Sequence, residues 1–289
     1  MARRKQESQD AGRQTLVVTG ILVTVAAAIT VGVVVGVKKA WQAVAARPEF
    51  LVRPGENVLN NPWVRPDEMK KDFLRTDRTG TLRGSFSIFT RDLPERVADA
   101  YAASPWVRNV VSVSKEFPNR LSIQLEIREP YALVKVRENH YCVDREGFLL
   151  SPQVYLLTAD RLASLGPVVA VPPNVVVPCA GWPWEEVAVR EGLVMVALCR
   201  DKLGRKVAVR SVEIQNDPAD GGRGAAIAAL VLEAGPRVQW GRTPSSPASP
   251  VEVATPKKTA ALLAITRQEG PQINRFKAID VRWSAPLCE

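Results

Sequence analysis

His140 and Cys142 are the two residues in this chain that most resemble a nucleophile and its base. They lie two positions apart in an alternating apolar segment, so on a β-strand their side chains would share one face. A thiol beside an imidazole can be activated as a nucleophile. No G-x-S-x-G motif and no third orienting residue accompanies the pair. We therefore interpret both residues as structural and expect no enzymatic activity.

Metal chemistry has few candidate ligands in this sequence. His140 is the one histidine, and the four cysteines, Cys142, Cys179, Cys199 and Cys288, contain no C-x-x-C pair. Zinc ribbons and thioredoxin-type redox sites use such pairs, so we expect neither a metal nor a cofactor. Cys199 lies in an apolar helical segment, which predicts a buried free thiol.

The composition is that of a folded, mildly basic protein. The chain has 289 residues, of which 46% are hydrophobic and 24% charged, with a formal net charge of +9. This length allows one or two domains. No run of basic residues with interleaved aromatics appears, so nucleic acid is a poor candidate partner. Anionic lipid headgroups or an acidic protein surface fit the charge better, but for most of these residues we interpret the charge as simply solvated.

An uncharged stretch near the N-terminus predicts a membrane-spanning helix. Leu16–Val37 contains 22 residues without a charge, and a helix of that length spans about 33 Å, enough to cross a hydrocarbon core of about 30 Å. Thirteen of these residues are Leu, Ile or Val, which favour insertion by roughly 4–8 kcal/mol. We assign the transmembrane helix to residues 15–37.

A cleavable signal peptide is the alternative for this stretch, because Ala43-Val44-Ala45 resembles a cleavage site. Secretory apolar regions usually have about 7–15 residues, so the length favours an uncleaved anchor. Residues 1–14 then form a cytoplasmic tail and residues 38–48 a juxtamembrane linker. Because long domains translocate largely regardless of charge, we expect the C-terminal body outside the cytoplasm.

Residues 49–129 predict a small α+β domain in the order strand, helix, helix, strand, strand. Leu93, Val97 and Tyr101 fall on one face of the second helix, and Leu121–Ile127 alternates apolar and polar residues as a half-buried strand does. Val111, Val113 and Phe117 are expected on one face of the preceding strand. Two amphipathic helices on one face of a three-stranded sheet would bury both apolar sides.

Residues 130–289 predict a mixed or antiparallel β domain with one or two helices, so the whole body belongs to the α+β class. Prolines, glycines and serines predict exposed loops at residues 217–224 and 243–256. The other predicted elements are a helix over Trp184–Leu203, a strand pair over Ala225–Leu232 and Arg237–Trp240, a helix over Lys257–Gln268 and a final strand over Ala278–Trp283.

Four motifs in this order resemble the bacterial cell-division family FtsQ, called DivIB in some lineages. They are Ser104–Val110 (SPWVRNV), Phe117–Ile123 (FPNRLSI), Arg128–Ala132 (REPYA) with Val143–Phe148 (VDREGF), and Ile279–Trp283 (IDVRW). The resemblance implies a single transmembrane helix, a POTRA domain over residues 49–129 and an FtsQ-type β domain over residues 130–289.

The resemblance implies a partner-binding edge in the β domain at Asp280, Arg282 and Trp283. Arg282 would pair with a partner carboxylate while a partner strand joins the sheet, and Trp283 would be the aromatic anchor. The alternative is that Arg282 pairs internally with Asp280 or another carboxylate and that Trp283 belongs to the core. Trp106, Val107 and Pro118 are expected to be structural residues of the POTRA domain, and Asp144 and Gly147 to form a turn.

The resemblance further implies a non-enzymatic scaffold of the divisome. Its expected partners are the coiled-coil proteins FtsB and FtsL and other membrane divisome proteins such as FtsW, FtsI or FtsK. The expected location is the cytoplasmic (inner) membrane, in type II orientation with the body in the periplasm, enriched at the division septum. Two alternatives remain open: a POTRA-bearing component of a transport or secretion apparatus, and an anchored cell-wall hydrolase.

Overall fold

A computed structural model describes residues 25, 28–56, 66–151, 164–217, 225–233, 235–247 and 251–289. In these ranges the chain has an α+β fold. The helices of two turns or more are α1 (28–45), α2 (Pro66–Thr76), α3 (Leu93–Ala102), α4 (Val187–Leu198) and α5 (Thr255–Glu269). The strands are β1 (Leu51–Val52), β2 (Phe86–Ser87), β3 (Val107–Glu116), β4 (Arg120–Ile127), β5 (Ala132–Val136), β6 (Asn139–Val143), β7 (Leu149–Ser151), β8 (Val168–Val171), β9 (Val209–Asn216), β10 (Ala226–Leu232), β11 (Arg237–Arg242), β12 (Ala278–Asp280) and β13 (Leu287–Cys288).

Helix α1 is long and apolar enough to cross a membrane over Ala28–Ala45, and none of that segment is buried in the protein. A signal sequence near the N-terminus meets the same criterion. The predicted tail (1–14) and the first part of the predicted span lie outside the described residues. The helix also continues through most of the predicted linker, because the alanine-rich segment after Lys39 favours a helix as far as the residues before Pro48.

The first unit of the body spans residues 48–129, and its described residues (48–56 and 66–129) form the two predicted helices but not the predicted three-stranded sheet. Strands β1 and β2 form one two-stranded sheet and β3 and β4 another. Both residues of β1 pair with β2 (Phe86–Ser87), the strand that precedes α3. Strand β1 therefore does not extend the β3–β4 pair. Leu93, Val97 and Tyr101 of α3 are buried, as their spacing predicts.

Strand β3 differs from its predicted pattern of faces. Its register against β4 shifts between Val107 and Asn109 and again between Val110 and Ser112. Such irregularities change which side chains point inward. Val111 is therefore exposed, whereas Val110 and Val113 are half-buried against the first core.

The second unit, residues 130–289, contains a mixed sheet of nine described strands in the order β13-β12-β11-β10-β9-β8-β5-β6-β7. The β5–β8, β8–β9 and β11–β12 pairs are parallel and the others antiparallel. Helix α4 packs closely on β8 because Gly192 has no side chain: a Cβ built there would overlap Cγ1 of Val169. The prediction was a mixed or antiparallel sheet with one or two helices, and the described residues of this unit contain a mixed sheet and the helices α4 and α5.

The two units share a buried junction. Arg128, which follows β4, places Nη1 2.7 Å from Oδ2 of Asp144, and both side chains are about nine-tenths buried. The Arg128 guanidinium also lies 3.8 Å from the centre of the Phe148 ring. Cys142 and Leu150 of the nine-stranded sheet belong to the apolar core of the first unit. The units therefore pack as one continuous body.

Candidate partner-binding edge

The predicted site lies near one end of the nine-stranded sheet. Strand β12 pairs in parallel with β11 and antiparallel with β13, with Ile279 opposite Cys288 and Asp280 opposite Leu287. Strand β12 therefore has a neighbour on each side. The outermost described strand at this end is β13, which the sequence analysis did not predict.

The predicted final strand Ala278–Trp283 is corrected by the structure, because regular pairing ends at Asp280. The Asp280 carboxylate turns the chain: its Oδ1 accepts a hydrogen bond of 3.0 Å from the backbone N–H of Arg282. An aspartate that bonds the amide two residues later competes with strand pairing. Arg282 and Trp283 consequently lie in a turn beside the edge, not on an edge strand.

The three predicted partner-binding residues contact one another. Arg282 donates from Nε to Oδ1 of Asp280 at 3.0 Å and from Nη2 to Oδ2 at 2.7 Å. The indole Nε1 of Trp283 donates to the same Oδ2 at 3.2 Å, and its ring centre lies 5.3 Å from the guanidinium carbon. The structure therefore contains the internal Arg282–Asp280 pair, while Trp283 is half-buried and not part of either core.

The pairing favours the charged forms of both groups. Burial raises the pKa of Asp280, but the hydrogen bonds donated by Arg282 and Trp283 outweigh that effect and hold this pKa below its usual range. The hydrogen bond to Asp280 raises the pKa of Arg282. The Arg282 side chain is 37% exposed, so the guanidinium is paired and still accessible from the surface.

A second ion pair, between Lys258 and Glu252, stabilises the segment that contacts the Arg282 turn. Lys258 of α5 is buried, and its Nζ lies 2.6 Å from Oε2 of Glu252. The same Oε2 accepts a hydrogen bond from the backbone of Arg242, and the backbone N–H of Val253 donates to the carbonyl of Arg282 at 2.8 Å. The described part of the predicted loop 243–256 is thus attached to both β11 and the Arg282 turn. The buried lysine could not be found from the sequence, where it appears as one of two adjacent lysines on a helix.

Strand β13 presents the outer edge of the sheet. Leu287 is 56% exposed and Cys288 is also exposed. The following residue, Glu289, completes the pairing: its N–H donates to the carbonyl of Ala278 at 2.9 Å, and its carbonyl accepts from the N–H of Lys277 at 2.6 Å. No described strand pairs with the outer side of β13, so its backbone groups can accept another strand.

The POTRA-motif residues fall into two groups in the structure. Trp106 and Val107 are buried in the core of the first unit. Pro118 lies in the exposed turn between β3 and β4, next to Phe117. Trp106 and Val107 therefore contribute to the core, whereas Pro118 helps to shape the surface turn that connects β3 to β4.

Asp144 and Gly147 form a turn between β6 and β7. Oδ1 of Asp144 accepts hydrogen bonds from the N–H groups of Glu146 (2.9 Å) and Phe148 (2.8 Å). Gly147 has a φ of +85°, a conformation that favours glycine. Because Asp144 also pairs with Arg128, the turn holds the junction between the two units.

His140 and Cys142 do not form a nucleophile–base pair. Both lie on β6, but His140 is exposed while Cys142 is buried in the first core. Burial, with a smaller contribution from Asp144, raises the pKa of the Cys142 thiol to about 12. A thiol held in its protonated form is a poor nucleophile, so these two side chains are not arranged as an activated pair.

Among the described residues, no group of three or more His, Cys, Asp or Glu side chains is arranged to hold a metal ion. The arrangement around Asp280 and β13 instead offers a short open strand edge, an accessible guanidinium and an indole ring. This combination can bind an extended polypeptide segment that carries a carboxylate. Searches of protein-family models and of curated proteins found no family and no curated protein that matches this chain.

Proposed function

We propose that this chain is a non-enzymatic scaffold of bacterial cell division, of the FtsQ/DivIB type. In this proposal α1 anchors it once in the cytoplasmic membrane and the body lies in the periplasm, enriched at the septum. The first unit acts as a POTRA domain that contacts other membrane divisome proteins, such as FtsW, FtsI or FtsK. The second unit holds the FtsB–FtsL pair and so helps to control septal peptidoglycan synthesis.

The observation that carries the proposal is the location of the Asp280–Arg282–Trp283 cluster beside the open edge of β13. The resemblance implies partner binding at these residues, and they lie together where β12 ends, beside the outermost described strand β13. The order of the elements supports the same proposal, because an apolar helix precedes a small α+β unit and a mixed sheet.

The recognition step is addition of a partner strand together with an exchange of ion pairs. A partner strand would pair with the outer backbone of β13, since that side is open among the described strands. A partner carboxylate would then share or replace Asp280 as the acceptor for Arg282. The guanidinium has five N–H donors in a planar fork. It can therefore bond to the partner carboxylate before its bonds to Asp280 break, and it stays paired throughout the exchange.

Affinity capture with the full chain from detergent-solubilised membranes tests this function. The wild type is compared with Arg282→Glu, which reverses the charge at the edge, and with Arg96→Glu as the control. Arg96 of α3 is a matched residue, since its side chain is 40% exposed and pairs with Asp92, the residue that precedes this helix. Mass spectrometry then identifies the proteins that each variant retains.

We expect the wild type and Arg96→Glu to retain a small single-span coiled-coil protein and Arg282→Glu to lose it. Retention of that protein by all three chains would contradict the assignment of the edge. Retention of secretion components in its place would contradict the divisome scaffold as a whole.

A further inference from the structure

Four aromatic side chains form a cluster where α1 meets the first unit of the body. The ring centres of Trp41 and Phe89 are 5.0 Å apart, and those of Phe50 and Phe89 are 5.3 Å apart. Phe117 completes the cluster, at 5.5 Å from Phe50 and 6.4 Å from Phe89. The cluster therefore joins the helix, the segment before β1 and the turn between β3 and β4.

Two members of this aromatic cluster are exposed. Phe117 is 71% exposed and Trp41 is 57% exposed, whereas Phe50 and Phe89 are half-buried. Phe50 and Phe89 pack against the apolar core of the first unit, so these two rings are explained by folding. Packing against this core does not explain the large exposed rings of Trp41 and Phe117. A contiguous exposed apolar surface of this kind marks an interaction site.

The cluster lies at the height where a membrane surface is expected. Trp41 follows the last residue of the uncharged stretch, Val37, by four positions, which is about 6 Å along a helix. Each headgroup layer of a bilayer is about 5–8 Å thick. Tryptophan is enriched at this depth, where its ring contacts acyl chains and its N–H contacts water. If α1 spans the bilayer, Trp41 lies among the headgroups.

Basic side chains surround the aromatic cluster. Lys38 and Lys39 directly follow the uncharged stretch, and Lys115 and Arg120 are exposed on either side of the Phe117 turn. Of the nearby acidic residues, Glu116 lies opposite Arg120 in the strand pair, and Glu49, next to Phe50, pairs with Arg47. The balance of these seven charges is positive. Lysine and arginine near a membrane surface are attracted to anionic lipid headgroups.

We propose that the body rests on the membrane through this aromatic cluster, with Trp41 and Phe117 inserted among the lipid headgroups. The occupant of the exposed aromatic surface is the outer surface of the same bilayer that α1 crosses. This inference uses the membrane-anchoring part of the proposed function and is independent of the divisome partners. Docking at two points, the helix and the Phe117 turn, fixes the orientation of the body and hence the height of the β13 edge.

Photo-crosslinking from position 117 tests the proposal. The full chain carries Phe117→p-benzoylphenylalanine and is reconstituted into nanodiscs of phosphatidylethanolamine and phosphatidylglycerol. The control is Val111→p-benzoylphenylalanine, because Val111 lies on β3, the strand that leads into the Phe117 turn, and is 59% exposed, but is about 20 Å away from the turn. After irradiation, mass spectrometry measures the fraction of each labelled peptide that carries a lipid.

We expect several-fold more lipid adduct at position 117 than at position 111. Equal yields at the two positions, or adducts at position 117 with protein alone, would overturn the docking proposal. A second pair of chains tests the Phe117 side chain itself, which the probe replaces in the first experiment. One chain carries Asn119→p-benzoylphenylalanine with Phe117 intact, and the other combines the same probe with Phe117→Asp. The proposal requires a several-fold loss of lipid adduct in the second chain at an unchanged melting temperature, and an unchanged yield contradicts it.

Alkaline extraction of native membranes separates the two possible failures. If the chain is released, or its N-terminus has been cleaved after Ala45, α1 is a signal sequence and both the anchoring and the docking are wrong. If the intact chain stays in the membrane and position 117 yields no lipid adduct, the docking alone is wrong and the scaffold proposal is unaffected.

Discussion

Nη2 of Arg282 lies 2.7 Å from Oδ2 of Asp280, and Nε1 of Trp283 donates to that same oxygen atom at 3.2 Å. One carboxylate thus orients both side chains proposed to bind the partner. It also ends strand β12, because it accepts the backbone N–H of Arg282. The charge of Asp280 therefore controls the shape of the candidate edge.

The Asp280 turn should weaken at acidic pH. The pKa of Asp280 is lowered in the folded chain, so the carboxylate contributes stability that is fully present above the unfolded pKa of about 4 and is lost as the pH falls through the lower folded pKa. The variant Asp280→Asn lacks this contribution at every pH. Amide hydrogen exchange over residues 278–283 should be slower in the wild type than in the variant above about pH 5.

That difference in exchange should shrink progressively below about pH 4. Glu138→Gln is the control, since the Glu138 carboxylate is 93% exposed and pairs only with Lys135 at 3.4 Å among the described residues. A constant difference between the wild type and Asp280→Asn down to strongly acidic pH would contradict this role for the carboxylate.

Removal of the buried Lys258 charge should destabilise the second unit. The variant Lys258→Met keeps most of the side-chain volume but leaves Glu252 as an unpaired buried charge, which costs about 3–5 kcal/mol. Adding Glu252→Gln should recover part of this loss, because the amide oxygen can still accept the hydrogen bond from Arg242. The free energy of unfolding in urea measures both effects.

The exposed pair of Arg53 and Glu56 is the control for this prediction. Both side chains are more than 60% exposed, so Arg53→Met should change the free energy of unfolding by at most about 1 kcal/mol. Equal losses for Lys258→Met and Arg53→Met would show that the Glu252–Lys258 pair is not buried in solution.

The junction between the two units should depend on Arg128. The variant Arg128→Met leaves Asp144 unpaired in a buried position, and we expect a loss of about 3–5 kcal/mol and faster proteolysis around residues 128–131. Arg108 pairs with Glu146 in the same region but is 48% exposed, so Arg108→Met should have little effect. Unchanged proteolysis of Arg128→Met would contradict a rigid junction.

The four cysteines should divide into two pairs by reactivity. Burial raises the pKa values of Cys142 and Cys199 to about 12, so at pH 8 only about one such thiol in 10⁴ is ionised. Cys179 and Cys288 are exposed. Iodoacetamide under reducing conditions should therefore modify Cys179 and Cys288 in the native chain, and all four cysteines only after unfolding. Peptide mass spectrometry measures the labelling of each cysteine. Labelling of native Cys142 as fast as that of Cys179 would contradict the buried position of Cys142.

The sequence predicted elements whose signals are local. The apolar strand that became β10 and the helix that became α5 were predicted within a few residues of their bounds. Helix α4 lies within a predicted helix whose spacing puts Val187, Val194, Leu198 and Leu203 on one side. Of these, Leu203 is buried but the other three are half-buried, whereas Ala188, Leu193 and Val196 are buried. Because this helix is apolar almost all round, spacing cannot select the side that faces the sheet.

The details of the candidate edge depend on contacts between distant segments. Leu287–Cys288 is too short to show an alternating pattern, and its pairing with β12 appears only when residues 281–286 turn the chain back. Asp280 was recognised as a possible partner for Arg282, but its role in ending the strand was not predicted. The junction of Arg128 with Asp144 likewise joins segments whose proximity follows from the fold.

Depletion of the protein in the organism that encodes it tests the proposed role in cell division most directly. We expect long filaments without septa, with division restored by the wild type and by Arg96→Glu but not by Arg282→Glu at equal protein levels. A fluorescent fusion should at the same time collect at the division site. Depleted cells that divide at normal length would contradict the claim that this chain is a scaffold of the division machinery.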